Sequence, residues 1–133
     1  MPPLAAPGST RALSATLRAG ALYDFGFAAL LVAAPGLPAR FLALPTAPAF
    51  FLRVLAVTLA MLAAVYLVAA RDPRRQAPLV AIAIVGRLAG ALALAGSALA
   101  EPAWSGLWPL AAADLVFALA HAATWPRGGS ATA

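Results

Sequence analysis

Residues 79–100, LVAIAIVGRLAGALALAGSALA, are apolar or small throughout except for Ser97 and one charge, Arg87. About 20 such residues in helical form cross the hydrocarbon core of a bilayer. Pro78 bounds this run on one side and Glu101-Pro102 on the other. Arg87 is the anomaly, because a charge at bilayer depth costs roughly 3 kcal/mol or more. The segment therefore predicts a membrane-spanning helix and, inside a bundle, a polar partner for Arg87.

Three further apolar runs share this form. Spans are predicted over about 18–34, 49–70, 79–100 and 105–124, within one transmembrane domain covering residues 1–133. Residues 1–10 and 126–133 read as flexible tails. The first helix begins near Ser9 or Thr10 and is ended by Pro35, Gly36 and Pro38. Thr46 as N-cap and Pro48 in the first turn open the second, which stops at Arg71-Asp72-Pro73. Pro109 falls in the first turn of the fourth, where its missing N–H is harmless. Connections of about 14, 8 and 5 residues suit antiparallel neighbours. The fold class is all-α: an integral membrane four-helix antiparallel bundle.

Composition agrees. The chain is 64% hydrophobic and 10% charged, where soluble domains carry about 25% charged residues. A soluble chain of 133 residues has no core large enough to hide that much apolar surface. The net charge of +5 does not indicate a nucleic-acid partner, because the arginines gather at segment ends and form no continuous basic face. With no cysteine, disulfides and thiolate metal sites are excluded. All nine basic residues are arginine, which together with abundant Ala and Pro suggests a GC-rich bacterial genome.

The arginines also set a direction. Arg11, Arg18, Arg71, Arg74, Arg75 and Arg127 fall on one side of four spans, and Arg40 with Arg53 toward the other. The positive-inside rule then places both termini in the cytoplasm of a bacterial inner membrane, with Trp104 and Trp108 at the outer interface and Trp125 at the inner one. Arg11 and Arg18 ahead of an apolar run have the outline of a signal peptide; Asp24 within the run and the long charged lead argue against cleavage.

Five residues form the predicted polar core: Asp24, Tyr66, Arg87, Asp114 and His121. Helical rise puts Asp24 about 9 Å from the cytoplasmic ends, Tyr66 about 7 Å, Arg87 about 13 Å, His121 about 8 Å and Asp114 about 18 Å. Arg87 is within reach of Asp24, Asp114 or both, whereas Arg53 can snorkel to the outer surface. Asp24 shares a helix face with Gly20 and Ala28, Arg87 with Ala83, Ala91 and Ala98, and Asp114 with Ala118 and His121. Faces of small residues are where membrane helices approach closely. Gly86 and Gly90 form a G-x-x-x-G pattern that reports tight packing within the bundle more than dimerisation.

In the structural reading Arg87 neutralises both carboxylates, and His121 and Tyr66 satisfy leftover acceptors. In the functional reading the cluster lines a cavity for a polar headgroup, a proton or an ion. A lone histidine can be an axial ligand for haem, but one histidine excludes bis-His ligation, and no C-x-x-C-H is present. Metal-ligand spacing, G-x-S-x-G and H-E-x-x-H are all missing. The loop Arg71-Asp72-Pro73-Arg74-Arg75 reads as a topology anchor with affinity for anionic headgroups.

Several short stretches carry a resemblance. They are Tyr23-Asp24-Phe25-Gly26, Pro35-Gly36-Leu37-Pro38, Leu44-Pro45 with Arg53, and Tyr66 followed by Ala69-Ala70-Arg71-Asp72-Pro73. In these the chain resembles the small four-helix inner-membrane proteins of the DoxX-like families. That resemblance implies a four-helix membrane bundle and an accessory role beside a redox or transport system, and it carries over no catalytic residue. Small multidrug-resistance exporters share the size and the acidic residue of the first helix, but theirs is normally Glu and their further motifs are missing here.

The expected function is a non-enzymatic membrane accessory or scaffold protein that binds a lipophilic molecule or lipid within the bundle. Its expected partners are membrane lipids, other membrane subunits or a second copy of the chain. No cofactor is predicted. Two alternatives stay open: a small proton-coupled transporter using Asp24, and a membrane redox subunit holding haem or quinone near His121.

Overall fold

The computed structural model describes residues 7–43 and 48–125. Among them there is no strand. The helices are α1 (Pro7–Ala33), α2 (Gly36–Phe41), α3 (Ala49–Arg71), α4 (Ala77–Ala100) and α5 (Trp108–Thr124), with a 3₁₀ segment, Pro102–Leu107, leading into α5. Among the described residues, four stretches are long and apolar enough to cross a membrane: Thr10–Ala33, Ala49–Arg71, Ala77–Ala100 and Pro102–Thr124.

Prolines set the boundaries by a simple steric rule. A residue before proline is pushed out of the α region. Asp72, ahead of Pro73, lies at φ −149°, ψ 84°, and Glu101, ahead of Pro102, at φ −131°, ψ 100°. Each ends the helix before it. Pro78 and Pro109 sit in first turns, where no hydrogen bond is lost.

Three boundaries differ from the sequence reading. Pro7 and Gly8, read as part of a tail, belong to α1, which begins two residues before the expected Ser9. The Pro35–Pro38 stretch ends α1 and then starts a short helix of its own, because Pro38 falls in the first turn of α2. The fourth span begins as a 3₁₀ turn, with Trp104 at φ −102°, ψ 20°, and becomes α-helical only at Trp108. Pro48 precedes α3 as its N-cap residue; Thr46, Leu44-Pro45, residues 1–6 and the tail at 126–133 lie outside the described residues.

Two buried clusters establish the antiparallel arrangement. Leu13 and Leu17 of early α1 pack with Ala69 and Ala70 of late α3 and with Val80 and Ala83 of early α4, and Trp125 at the end of α5 leans on the same cluster. At the other end, Ala28 and Leu31 of α1 meet Ala56 of α3. The helices thus run up, down, up, down around a ring, and α3 and α4 touch least of the neighbouring pairs. Most contact residues are alanines, which lets the axes approach closely. Gly106 adds one backbone approach, since any Cβ there would overlap the Leu42 carbonyl.

The outward surface is apolar. Leu22, Val32, Met61, Val85, Leu92 and Leu99 are all exposed. A water-soluble monomer rarely leaves an apolar surface so extensive, whereas lipid suits it. This is the form of a multi-pass membrane protein.

Candidate functional site

Arg87 stands at the centre of α4's buried face, in register with Val80, Ala83, Ala91 and Ala98. Its side chain reaches two other helices at once. Nη2 donates to Asp24 Oδ2 of α1 at 2.6 Å, and Nη1 donates to Asp114 Oδ1 of α5 at 2.5 Å. Nη2 also approaches the Gly20 carbonyl at 3.4 Å. Each carboxylate therefore engages one terminal nitrogen of the guanidinium fork, and charge-assisted bonds of this kind are the strong ones. Asp24 is fully buried, while the Asp114 side chain is 17% exposed.

Aromatic rings enclose the same cation. The guanidinium carbon lies 5.1 Å from the Phe117 ring centre, 5.2 Å from Tyr66 and 5.7 Å from Tyr23. A cation over a ring face is attracted by the ring quadrupole, more strongly once water is excluded. Tyr23 in turn packs on Phe117 at 5.5 Å.

All five residues singled out from the sequence converge here: Asp24, Tyr66, Arg87, Asp114 and His121. The small-residue faces expected to point inward do so, with Ala28, Ala83, Ala91, Ala98 and Ala118 buried. Arg53 is exposed at the far end, apart from the cluster. Tyr23 and Phe117 are additions. Their signal lay in the register, since Tyr23 adjoins Asp24 and Phe117 follows Asp114 by one helical turn on the face shared with His121.

His121 departs from its expected role of satisfying leftover acceptors. It is fully buried, yet neither ring nitrogen has a hydrogen-bond partner. Its ring packs edge-on against Tyr66 and Phe117, both with centres 6.1 Å away. It sits beside Gly20, where a Cβ would lie 3.6 Å from its Nε2, while the next turn of α1 carries Asp24. Asp24 Oδ1 and Arg87 Nε are likewise buried without partners. Enclosed by rings on this scale, His121 presents no open face to a planar macrocycle. Among the described residues no three His, Asp or Glu side chains converge as a metal site requires.

A half-enclosed cavity of about 360 Å³ adjoins the ion cluster. Asp24, Arg87 and Asp114 supply its polar end. Leu55, Leu59 and Leu62 of α3 and Ala93 and Leu94 of α4 supply apolar walls that extend toward the Arg53 end of the bundle. Its volume falls within the roughly 300–1,000 Å³ of small-molecule sites, which combine apolar walls with a few placed polar groups. Gly86 and Gly90 line it as well; Gly86 leaves open space there, whereas Gly90 packs closely against the Asp114 carboxylate, as the expected tight packing requires.

Comparison with protein-family models, with curated proteins and with solved structures finds no match to this chain.

Proposed function

We propose that this is a non-enzymatic protein of the bacterial inner membrane, with both termini cytoplasmic, that holds a lipophilic molecule in the cavity between α3 and α4. The observation that carries this reading is the pairing of leucine walls with an ionic end in one cavity. An occupant with an apolar body and a polar head matches both ends, and the head meets carboxylates already oriented by Arg87. The resemblance to DoxX-like proteins fits an accessory role of this sort, beside other membrane subunits or a second copy of the chain.

Proton-coupled transport through Asp24 has one observation in its favour, the buried and unpartnered Oδ1. The bond from Arg87 to Oδ2 weighs against it, because that oxygen is already engaged in an ion pair. Haem near His121 has no geometric support, for the reason given above.

Gly86→Leu tests the reading. Gly86 lines the cavity and has no atom within 4 Å of a Cβ position, so leucine there fills space without displacing the ion pairs. Native mass spectrometry of the protein in mild detergent should show a bound apolar molecule that Gly86→Leu loses. Equal retention by the two forms, or no bound molecule in the parent, would contradict it.

A further inference from the structure

A second cavity, independent of the first, lies at the end of the bundle where α1 begins. It is a cleft of about 680 Å³ between early α1, with Arg11, Ser14 and Arg18, and the end of α3 with its following turn, Arg71, Asp72 and Arg74. Four arginines thus line one cleft together with one aspartate. Asp72 Oδ1 accepts from the backbone N–H of Arg75 at 3.2 Å, and its single negative charge balances only one of the four arginines.

The positive-inside rule asks only that arginines lie on one side of the membrane. It does not ask that arginines from opposite ends of two helices line one volume. Here the packing of Leu13 and Leu17 against Ala69 and Ala70 brings them together. Four arginines against one aspartate leave the cleft with an excess of positive charge, which draws an anion. Guanidinium forks match phosphate oxygens in pairs.

The same seam between α1 and α3 continues into an apolar groove of about 480 Å³. The register is shared: Phe25, Val32 and Val57 of the groove stand about four helical turns, roughly 21 Å, from Arg11, Arg18 and Arg71 of the cleft. Leu22 and Leu67 leave apolar surface exposed between the two. A bilayer's hydrocarbon core is about 30 Å thick, so that distance covers the headgroup and the acyl chains of one leaflet.

We infer that the α1–α3 seam is a binding site for one acidic phospholipid, its phosphate in the arginine cleft and a chain in the groove beyond. The inference shares with the proposed function only the placement of the four helices in a membrane. A freely soluble phosphate compound would use the cleft but leave the groove empty.

The test is lipid retention on the full chain in neutral detergent, read by native mass spectrometry with phosphatidylglycerol and phosphatidylcholine of equal chain length. Phosphatidylglycerol should be retained at least tenfold better. Arg18→Gln with Arg71→Gln, both exposed positions, should reduce it to the phosphatidylcholine level. Arg40→Gln with Arg53→Gln removes the same charge at the other end and should leave retention unchanged, as should Gly86→Leu. Ala29→Phe, in the groove, should weaken retention of long-chain phosphatidylglycerol more than that of a short-chain form. Equal retention of the two lipids overturns the inference, as does equal loss in both double variants. Displacement of the lipid by millimolar inorganic phosphate overturns it as well, in favour of a soluble phosphate compound.

Discussion

The Asp114 carboxylate occupies the space that a side chain at position 90 would fill. A Cβ built on Gly90 would lie 2.6 Å from Asp114 Oδ2, well inside van der Waals contact. Asp114 cannot simply turn aside, because its other oxygen holds Arg87. Gly90 is thus part of the ion cluster although it carries no charge.

Gly90→Ala should therefore destabilise the protein, with overpacking costs of about 1–3 kcal/mol exceeding the gain in helix propensity. Gly86→Ala, one turn earlier with open space around it, should be neutral or stabilising by up to about 1 kcal/mol. In an Asp114→Ala background the penalty at position 90 should vanish. Denaturation of the parent, Gly90→Ala, Asp114→Ala and their double variant in detergent, followed by circular dichroism, measures the coupling.

Phe117→Leu removes a ring face from the guanidinium while leaving every hydrogen bond of Arg87 in place. Loss of the cation–π contact should cost about 1–2 kcal/mol. Leu119→Ala on the exposed side of α5 provides the comparison and should cost less than about 0.5 kcal/mol. Equal effects at the two positions would mean that the rings around Arg87 are packing only.

His121→Leu should stabilise the protein by about 1 kcal/mol, because a buried polar group without a partner carries an uncompensated desolvation cost. Thermal unfolding in detergent reads the sign. Destabilisation would show that the imidazole has a bound partner, and would reopen the redox reading.

Much of this architecture was legible in the sequence because its signals are local. Prolines mark helix ends through their own sterics, and an apolar run declares a span by its length. Convergence of Asp24 and Asp114 on Arg87 followed from helical phase, since each charge sits on a face of Gly or Ala. The rest depended on how the helices are rotated and spaced. Phe117 and Tyr23 could equally have pointed out of the bundle, as the exposed Phe41 and Phe50 do. The period of Gly86 and Gly90 cannot distinguish a glycine that accommodates a carboxylate from one that opens a cavity. His121 sits on the expected face, but whether its nitrogens find partners depends on the neighbouring helices, and its own helix does not determine that. The Pro35–Pro38 stretch reads as a turn and in fact starts α2, because proline is as welcome in a first turn as in a loop.

The most direct test of the cluster as a set of mutually satisfied charges is the stability of Arg87→Met, alone and combined with Asp24→Asn and Asp114→Asn. Removing the cation alone strands two carboxylates and should cost about 3–5 kcal/mol. The triple variant, which leaves no charge in the cluster, should recover all but about 1 kcal/mol of that loss, because apolar or neutral replacements of buried ion pairs are often near neutral. A harmless Arg87→Met, or a triple variant no more stable than the single one, would contradict the account.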